Sequence, residues 1–149
     1  MILGVTGGIA AYKMAETASR LTKADYNVQV VMTEAATEFI SPLTFETITG
    51  NKVETELFNP STPDQVKHIS LAQNTDIILI APATADFISK MAGGLADDLL
   101  STLVLAADVP ILLSPSMNVN MYENSIIQDN LSYLQEKEIK IIEPDSGYL

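Results

Sequence analysis

The sequence predicts an α/β domain built on a central parallel sheet with helices on both faces. Three observations lead there. Short apolar runs alternate with segments of helical period along the chain. One run, DIILIAP at 76–82, is apolar without alternation, as in a strand covered on both sides. The stretches that follow the runs, TGG at 6–8, MTEAAT at 32–37, PATAD at 82–86 and SPSMN at 114–118, are rich in small and hydroxylated residues. In a parallel sheet such stretches converge on one rim beyond the carboxyl ends of the strands, where ligands bind.

Residues 1–5 form the first apolar run, closed by Thr6-Gly7-Gly8. A helical period follows over 9–23, with Ile9, Tyr12, Ala15 and Ala18 at three- and four-residue steps. NVQVVMT at 27–33 reads as a strand through Val28, Val30 and Val31. Residues 34–49 are helical but interrupted, because Pro42 favours a new helix start. Residues 50–65 read mostly as loop, with VETELF as a short strand, and 66–73 as a short helix around His68. After the strand at 76–82 come helical stretches at 84–91 and 95–107, split by Gly93-Gly94. A strand at 110–114, a helix at 121–137 and a last strand at 139–142 complete the pattern. No internal repeat appears.

The chain of 149 residues is of single-domain length. With 47% hydrophobic and 18% charged residues it is not a disordered segment. No apolar run reaches the roughly 18 residues of a membrane span, and MILGVTGG lacks the basic and apolar regions of a signal peptide. A cytoplasmic location without membrane association is the expectation. The net charge of −11 disfavours nucleic acid, but a phosphorylated small molecule can still be held by backbone N–H groups. There are no cysteines and a single histidine, His68. No metal site is expected, and any cofactor should be organic and noncovalent.

Each candidate stretch has a structural reading beside its functional one. In VTGGIAAYK at 5–13, Gly7 and Gly8 let a backbone approach a ligand at a helix start, and Thr6 adds a hydroxyl; a tight turn alone also explains them. Thr33, Thr37 and Thr84 are short donors, while Thr33 and Thr84 equally suit helix N-caps. Ala83 and Ala85 leave room for a flat ring. Asp97 and Asp98 in GGLADDLL stand near a helix start, where the dipole favours them, and adjacent helical residues do not share a face. His68 is either a satisfied structural side chain or a proton carrier. Asn118, between Met117 and Met121, either caps the next helix or faces a ligand.

VTGGIAAYK, His68 in KHISLA, APATADFISKMAGGLADDLL and PSMNVNMYEN occur in the order and spacing of one family. Together they resemble the homo-oligomeric flavin-containing cysteine decarboxylases, and within them the branch acting in coenzyme A biosynthesis. The resemblance covers essentially the whole chain. It implies a Rossmann-like (flavodoxin-like) three-layer sandwich with a central parallel sheet, and FMN on the rim. Thr6, Gly7 and Gly8 would border the flavin, with Thr33 and the Ala83-Thr84-Ala85 turn near its ribityl chain or phosphate. Ala96, Asp97 and Ser101 would add contacts, and Met117 would lie against the ring. His68 would be catalytic. Asn118, with Met121 beside it, would hold the substrate's cysteinyl carboxylate. The implied reaction oxidises the thiol-bearing carbon to a thioaldehyde at the flavin, loses CO2 as an enethiolate, and returns the electrons. The substrate would be a small phosphorylated molecule, and the assembly a homotrimer, or a multiple of trimers, with sites at subunit interfaces.

Two departures stand out. Tyr122 replaces the tryptophan that usually closes the proline-x-methionine-asparagine motif. The sequence also runs to PDSGYL without the cysteine that, in the coenzyme A branch, protonates the enethiolate. The expectation is therefore a single FMN-binding decarboxylase domain over 1–149 lacking its C-terminal substrate-covering segment. The missing cysteine keeps open a peptidyl-cysteine decarboxylase that stops at the enethiol, and a non-catalytic flavin-binding regulator is the third alternative.

Overall fold

The five apolar runs pair side by side in the computed structural model, which describes residues 1–58 and 67–145. The strands are β1 (Ile2–Val5), β2 (Gln29–Met32), β3 (Ile78–Ala83), β4 (Ile111–Pro115) and β5 (Lys140–Ile141). They form one sheet in the order β2-β1-β3-β4-β5, and every pairing is parallel. This is the flavodoxin-like doubly wound order. From β1 the chain crosses outward to β2, then returns past β1 to β3, so the winding reverses between β1 and β3.

Side chains alternate across the sheet. Ile2, Ile78 and Ile80 enter one core, and Leu3, Val5 and Ala81 the other. The second core is closed by α1 (Met14–Lys23) and α3 (Pro42–Thr49), through Ala18 and the fully buried Phe45. The first is closed by α4 (Lys67–Gln73), α5 (Ala85–Gly93), α6 (Leu99–Ala106) and α8 (Ser125–Glu136), through Ala72, Phe87, Leu100 and Leu131. Helices on both faces explain why DIILIAP shows no alternation: both of its sides are interior. Each large side chain buried this way contributes about 1.5–3 kcal/mol.

Several boundaries differ from the sequence reading, each for a local reason. Ile9–Lys13 is a 3-10 turn that leads into α1. The interrupted helix over 34–49 is α2 (Glu34–Thr37) and α3, the latter begun by the Ser41 cap and Pro42 and ended by Gly50 in the left-handed region, φ 72°. The stretch expected to be helical from 95 starts only at Leu99. Asp98 caps α6 there in a capping box with Ser101, and Gly94, φ 67°, has already closed α5. The helix expected over 121–137 is two: α7 (Val119–Tyr122) and α8, capped by Asn118 and Asn124, whose side-chain oxygens each accept from the backbone N–H two residues on at 2.9 Å. VETELF contributes one parallel bridge, Glu54 to Val31 on the edge of β2. The expected loop over 50–65 lies in part outside the described residues.

The ends of β1 and β3 are tied across the reversal by one hydroxyl. Thr6, 1% exposed, donates from Oγ1 to the Pro82 carbonyl at 2.6 Å and accepts from the Thr84 N–H at 3.1 Å. Pro82 has no N–H to give the sheet, and the β3–β4 register shifts between Ile80 and Ala83. The Thr6 hydroxyl satisfies backbone groups there that the ladder leaves open. Thr6→Val keeps the shape and strands both partners. It should cost about 1–3 kcal/mol, read as a lower urea midpoint at unchanged slope, while Thr6→Ser should recover most of the loss.

Candidate functional site

A cavity of about 680 Å³ opens at the carboxyl ends of β1, β3 and β4. It sits where the winding reverses, the position ligands take in open α/β sheets, and its size is that of small-molecule sites. The four stretches that follow strand ends all reach it: Thr6, Gly7 and Gly8 after β1; Thr33 after β2; Thr84 and Ala85 after β3; Met117, Asn118 and Met121 after β4. These residues lie far apart in sequence, and the parallel sheet alone brings them together.

Close packing sets the shape of the rim. A Cβ on Gly7 would stand 2.5 Å from Ala35 Cβ and 2.9 Å from the Ala35 carbonyl carbon, so the β1 loop touches the first turn of α2 backbone to backbone. Gly8 is freer: a Cβ there would meet Thr84 Cγ2 at 3.4 Å. Thr33 and Thr84 do cap α2 and α5, accepting from Ala36 N–H at 3.2 Å and Phe87 N–H at 3.3 Å. The capping and cavity-lining readings of these threonines are therefore both true. Ala85 and Asp86, whose N–H groups begin α5 beyond reach of the helix's own carbonyls, line the cavity.

Asn118 divides its amide between two tasks. Its Oδ1 accepts from Asn120 N–H, and its Nδ2 makes no hydrogen bond among the described residues. Asn118 is exposed and lines the cavity beside half-buried Met117 and exposed Met121. Thr6 lines the cavity too, but its hydroxyl proton is committed to Pro82.

Other expected residues stand apart from the cavity lining. Ala83 is fully buried at the end of β3. Ser101 is 3% exposed and serves the α6 cap, donating to Asp98 Oδ1 at 2.8 Å. Ala96 and Thr37 do not line the cavity, whereas Asp97 does. His68 is half-buried on α4, also outside the lining. Its helix is pinned by the neighbouring Lys67, whose ammonium meets Glu54 Oε2 at 2.6 Å with both side chains under a fifth exposed. Glu54 in turn holds the β2 edge, its N–H donating to the Val30 carbonyl and its carbonyl accepting from Met32 N–H.

Sequence reasoning did not single out Ile9, Phe87, Ser116 or Lys90, all of which line the cavity. Among the described residues Lys90 is the only basic side chain there, beside Glu34, Asp86, Asp97 and Asp98. Burial acts to lower its pKa, but Asp86 and Asp97 overcome that and raise it above the usual lysine value. The available signal was Asp86 and Lys90 one helical turn apart, just before the acidic pair.

Comparison with known proteins agrees with this architecture. The sequence matches the Flavoprotein family over residues 1–148. Similar chains include the coenzyme A biosynthesis bifunctional protein CoaBC of Haemophilus influenzae, 49% identical over 148 residues, and that of Bacillus subtilis, 44% identical over 149. The matches cover 99% and 100% of this chain but 37% of each relative, so the chain spans little more than a third of those proteins. Among solved structures, the FMN-dependent cysteine decarboxylase SpaF superposes with a TM-score of 0.91 at 31% identity, covering 98% of this chain and 84% of SpaF. A PPC decarboxylase mutant complexed with pantothenoylaminoethenethiol gives 0.84 at 29% identity, over 97% and 81%. The chain belongs to the Flavoprotein family, with the flavodoxin-like fold of its flavin decarboxylase relatives.

The contact at Gly7 carries a test. Gly7→Ala forces two backbones apart at the rim and should cost about 1–3 kcal/mol of stability, measured by urea denaturation. Gly8→Ala, with ordinary contact distance available, should be milder.

Proposed function

We propose that this chain is the FMN-dependent decarboxylase that converts 4′-phospho-N-pantothenoylcysteine to 4′-phosphopantetheine in coenzyme A biosynthesis. The observation that carries the reading is the meeting of the TGG, PATAD and PSMN stretches in one cavity at the β1–β3 reversal, with an uncommitted Asn118 donor inside it. The relatives with this chain's sequence throughout are coenzyme A biosynthesis proteins, which supports that substrate over others.

The cavity fits FMN in shape and donors. Ala85, Met117, Met121 and Ile9 offer small or apolar surface to a flat ring. The open N–H groups at the start of α5 suit an anionic tail. FMN held there would supply the electron sink for oxidation at the thiol-bearing carbon, which lets CO2 leave. The chain's own residues orient the substrate. The Asn118 Nδ2 donates to the substrate carboxylate without neutralising it, which avoids fixing the carboxylate in its ground state. His68 accepts the proton from the substrate sulfur.

Because His68 lies off the lining of the cavity that holds Asn118, the complete site is assigned to a subunit interface of a homotrimer or a multiple of trimers. One copy brings His68 to the Asn118 cavity of its neighbour. Exposed apolar side chains at the rim, Ile9, Val119 and Met121, support such a contact. The location is assigned to the cytoplasm. Among the described residues no helix is long and apolar enough to cross a membrane. The likeness to the cysteine decarboxylase SpaF supports a second reading, oxidative decarboxylation of a C-terminal peptidyl cysteine that stops at the enethiol.

The purified protein should be yellow with bound FMN and release CO2 from 4′-phospho-N-pantothenoylcysteine; a colourless protein that takes up no FMN ends the proposal. A C-terminal-cysteine peptide offered in parallel separates the two substrates. His68→Asn should retain flavin and lose CO2 release by about 10²- to 10⁴-fold. Asn118→Asp is informative because aspartate caps helices as well as asparagine. It should keep fold and flavin while raising KM, since two carboxylates then face each other. Mixing the His68→Asn and Asn118→Asp proteins under subunit exchange should restore part of the activity, whereas sites built within one copy would stay inactive.

A further inference from the structure

We propose that Lys90 is a positioning residue of this site, its ammonium cross-linking α5 to the Ala96–Asp98 turn and holding that wall of the cavity against the repulsion of its own carboxylates. The proposal rests on the FMN reading for its ligand. The Lys90 Nζ lies 3.3 Å from Asp86 Oδ2, 3.3 Å from Asp97 Oδ1 and 3.8 Å from Asp98 Oδ2. All four side chains line the cavity. Asp86 is one turn before Lys90 on α5, but Asp97 and Asp98 are reached across the Gly93-Gly94 turn. A single charge therefore joins two consecutive elements at the cavity.

Asp98 shows why the link has directional content. Its Oδ1 is occupied by the α6 cap, accepting from Ser101 N–H at 2.7 Å and Ser101 Oγ at 2.8 Å. Only Oδ2 remains, and it is the oxygen turned to Lys90. The turn itself is exposed at Leu95, Ala96 and Asp97, so no core packing holds it. Besides Lys90 Nζ and the Asp98–Ser101 cap, it is fastened by Leu95 N–H on the Lys90 carbonyl, Thr102 Oγ1 on the Ala96 carbonyl and a long contact from Ser101 Oγ to Asp97 Oδ1 at 3.5 Å. Without Lys90, three carboxylates would face one another at a cavity that also carries Glu34 and must admit a phosphate-tailed ligand. Lys90 is 23% exposed and its carboxylate partners range from 26% to 76%, so the repulsion released is open to screening.

The test is flavin affinity, read by quenching of flavin fluorescence on binding. Lys90→Met should weaken FMN about tenfold at low ionic strength, the scale of losing one member of a partly buried charge cluster. Riboflavin should weaken by the same factor, because the wall moves for both. The deficit should shrink in about 1 M salt, where the screening length falls to about 3 Å. Lys90→Arg should bind close to the parent, and adding Asp97→Asn to Lys90→Met should recover part of the loss. If Lys90→Met does not fold, as judged by its melt, Lys90→Gln takes its place with the same expectations. Parent-like affinity in the Met or Gln variant, a loss confined to FMN, or no response to salt and to Asp97→Asn would each overturn the tether. A parent protein that takes up no flavin would instead bring down the reading beneath it.

Discussion

The molecule depends on how the backbones of β1 and β3 are held together where the chain reverses its winding. Neighbouring strand ends at such a point diverge, because the segments leaving them run to opposite faces. Here the divergence is bridged by the buried Thr6 hydroxyl, which gives its proton to Pro82 and receives one from Thr84. That clasp fixes how far apart the two turns stand. The Thr84 cap of α5 and the cavity between the two turns are placed by it. A proline near the end of β3 is tolerable because another residue supplies what the strand cannot.

A second economy runs along the rim. Thr33, Thr84, Asp98 and Asn118 each cap the start of a helix and each line the cavity. Short polar side chains suit both purposes, since they reach their own backbone and leave atoms or space for something else. Asn118 is the clearest instance: the carbonyl half of its amide builds the fold, and the amino half makes no hydrogen bond among the described residues. Asp98 does the same with its two oxygens, one for α6 and one for Lys90.

Much of this was legible in the sequence. The strands announced themselves through β-branched runs, and DIILIAP declared a doubly covered centre. Parallel topology then places TGG, PATAD and PSMN on one rim. What escaped is non-local or concerns a few residues of boundary. The split of the last long helix turns on the Asn124 cap, which the period of the apolar residues does not encode. Lys90 escaped because its meaning lies across a glycine turn, and a lysine on a helix ordinarily reads as solvated surface. Thr6 read as a donor toward a ligand because its true partners are 76 and 78 residues away. His68 was legible as a singular residue, yet its distance from the cavity lining could be seen only in three dimensions.

The Lys67–Glu54 pair has a bearing on how such a chain can vary. It clasps the helix that bears His68 to the outer edge of the sheet, and so closes a ring of covalent chain at its neck. Once the neck is fixed, lengthening or shortening what lies between costs little, because closure entropy grows only with the logarithm of the number of residues enclosed. The imidazole beside Lys67 therefore keeps its place at the sheet edge through the neck itself.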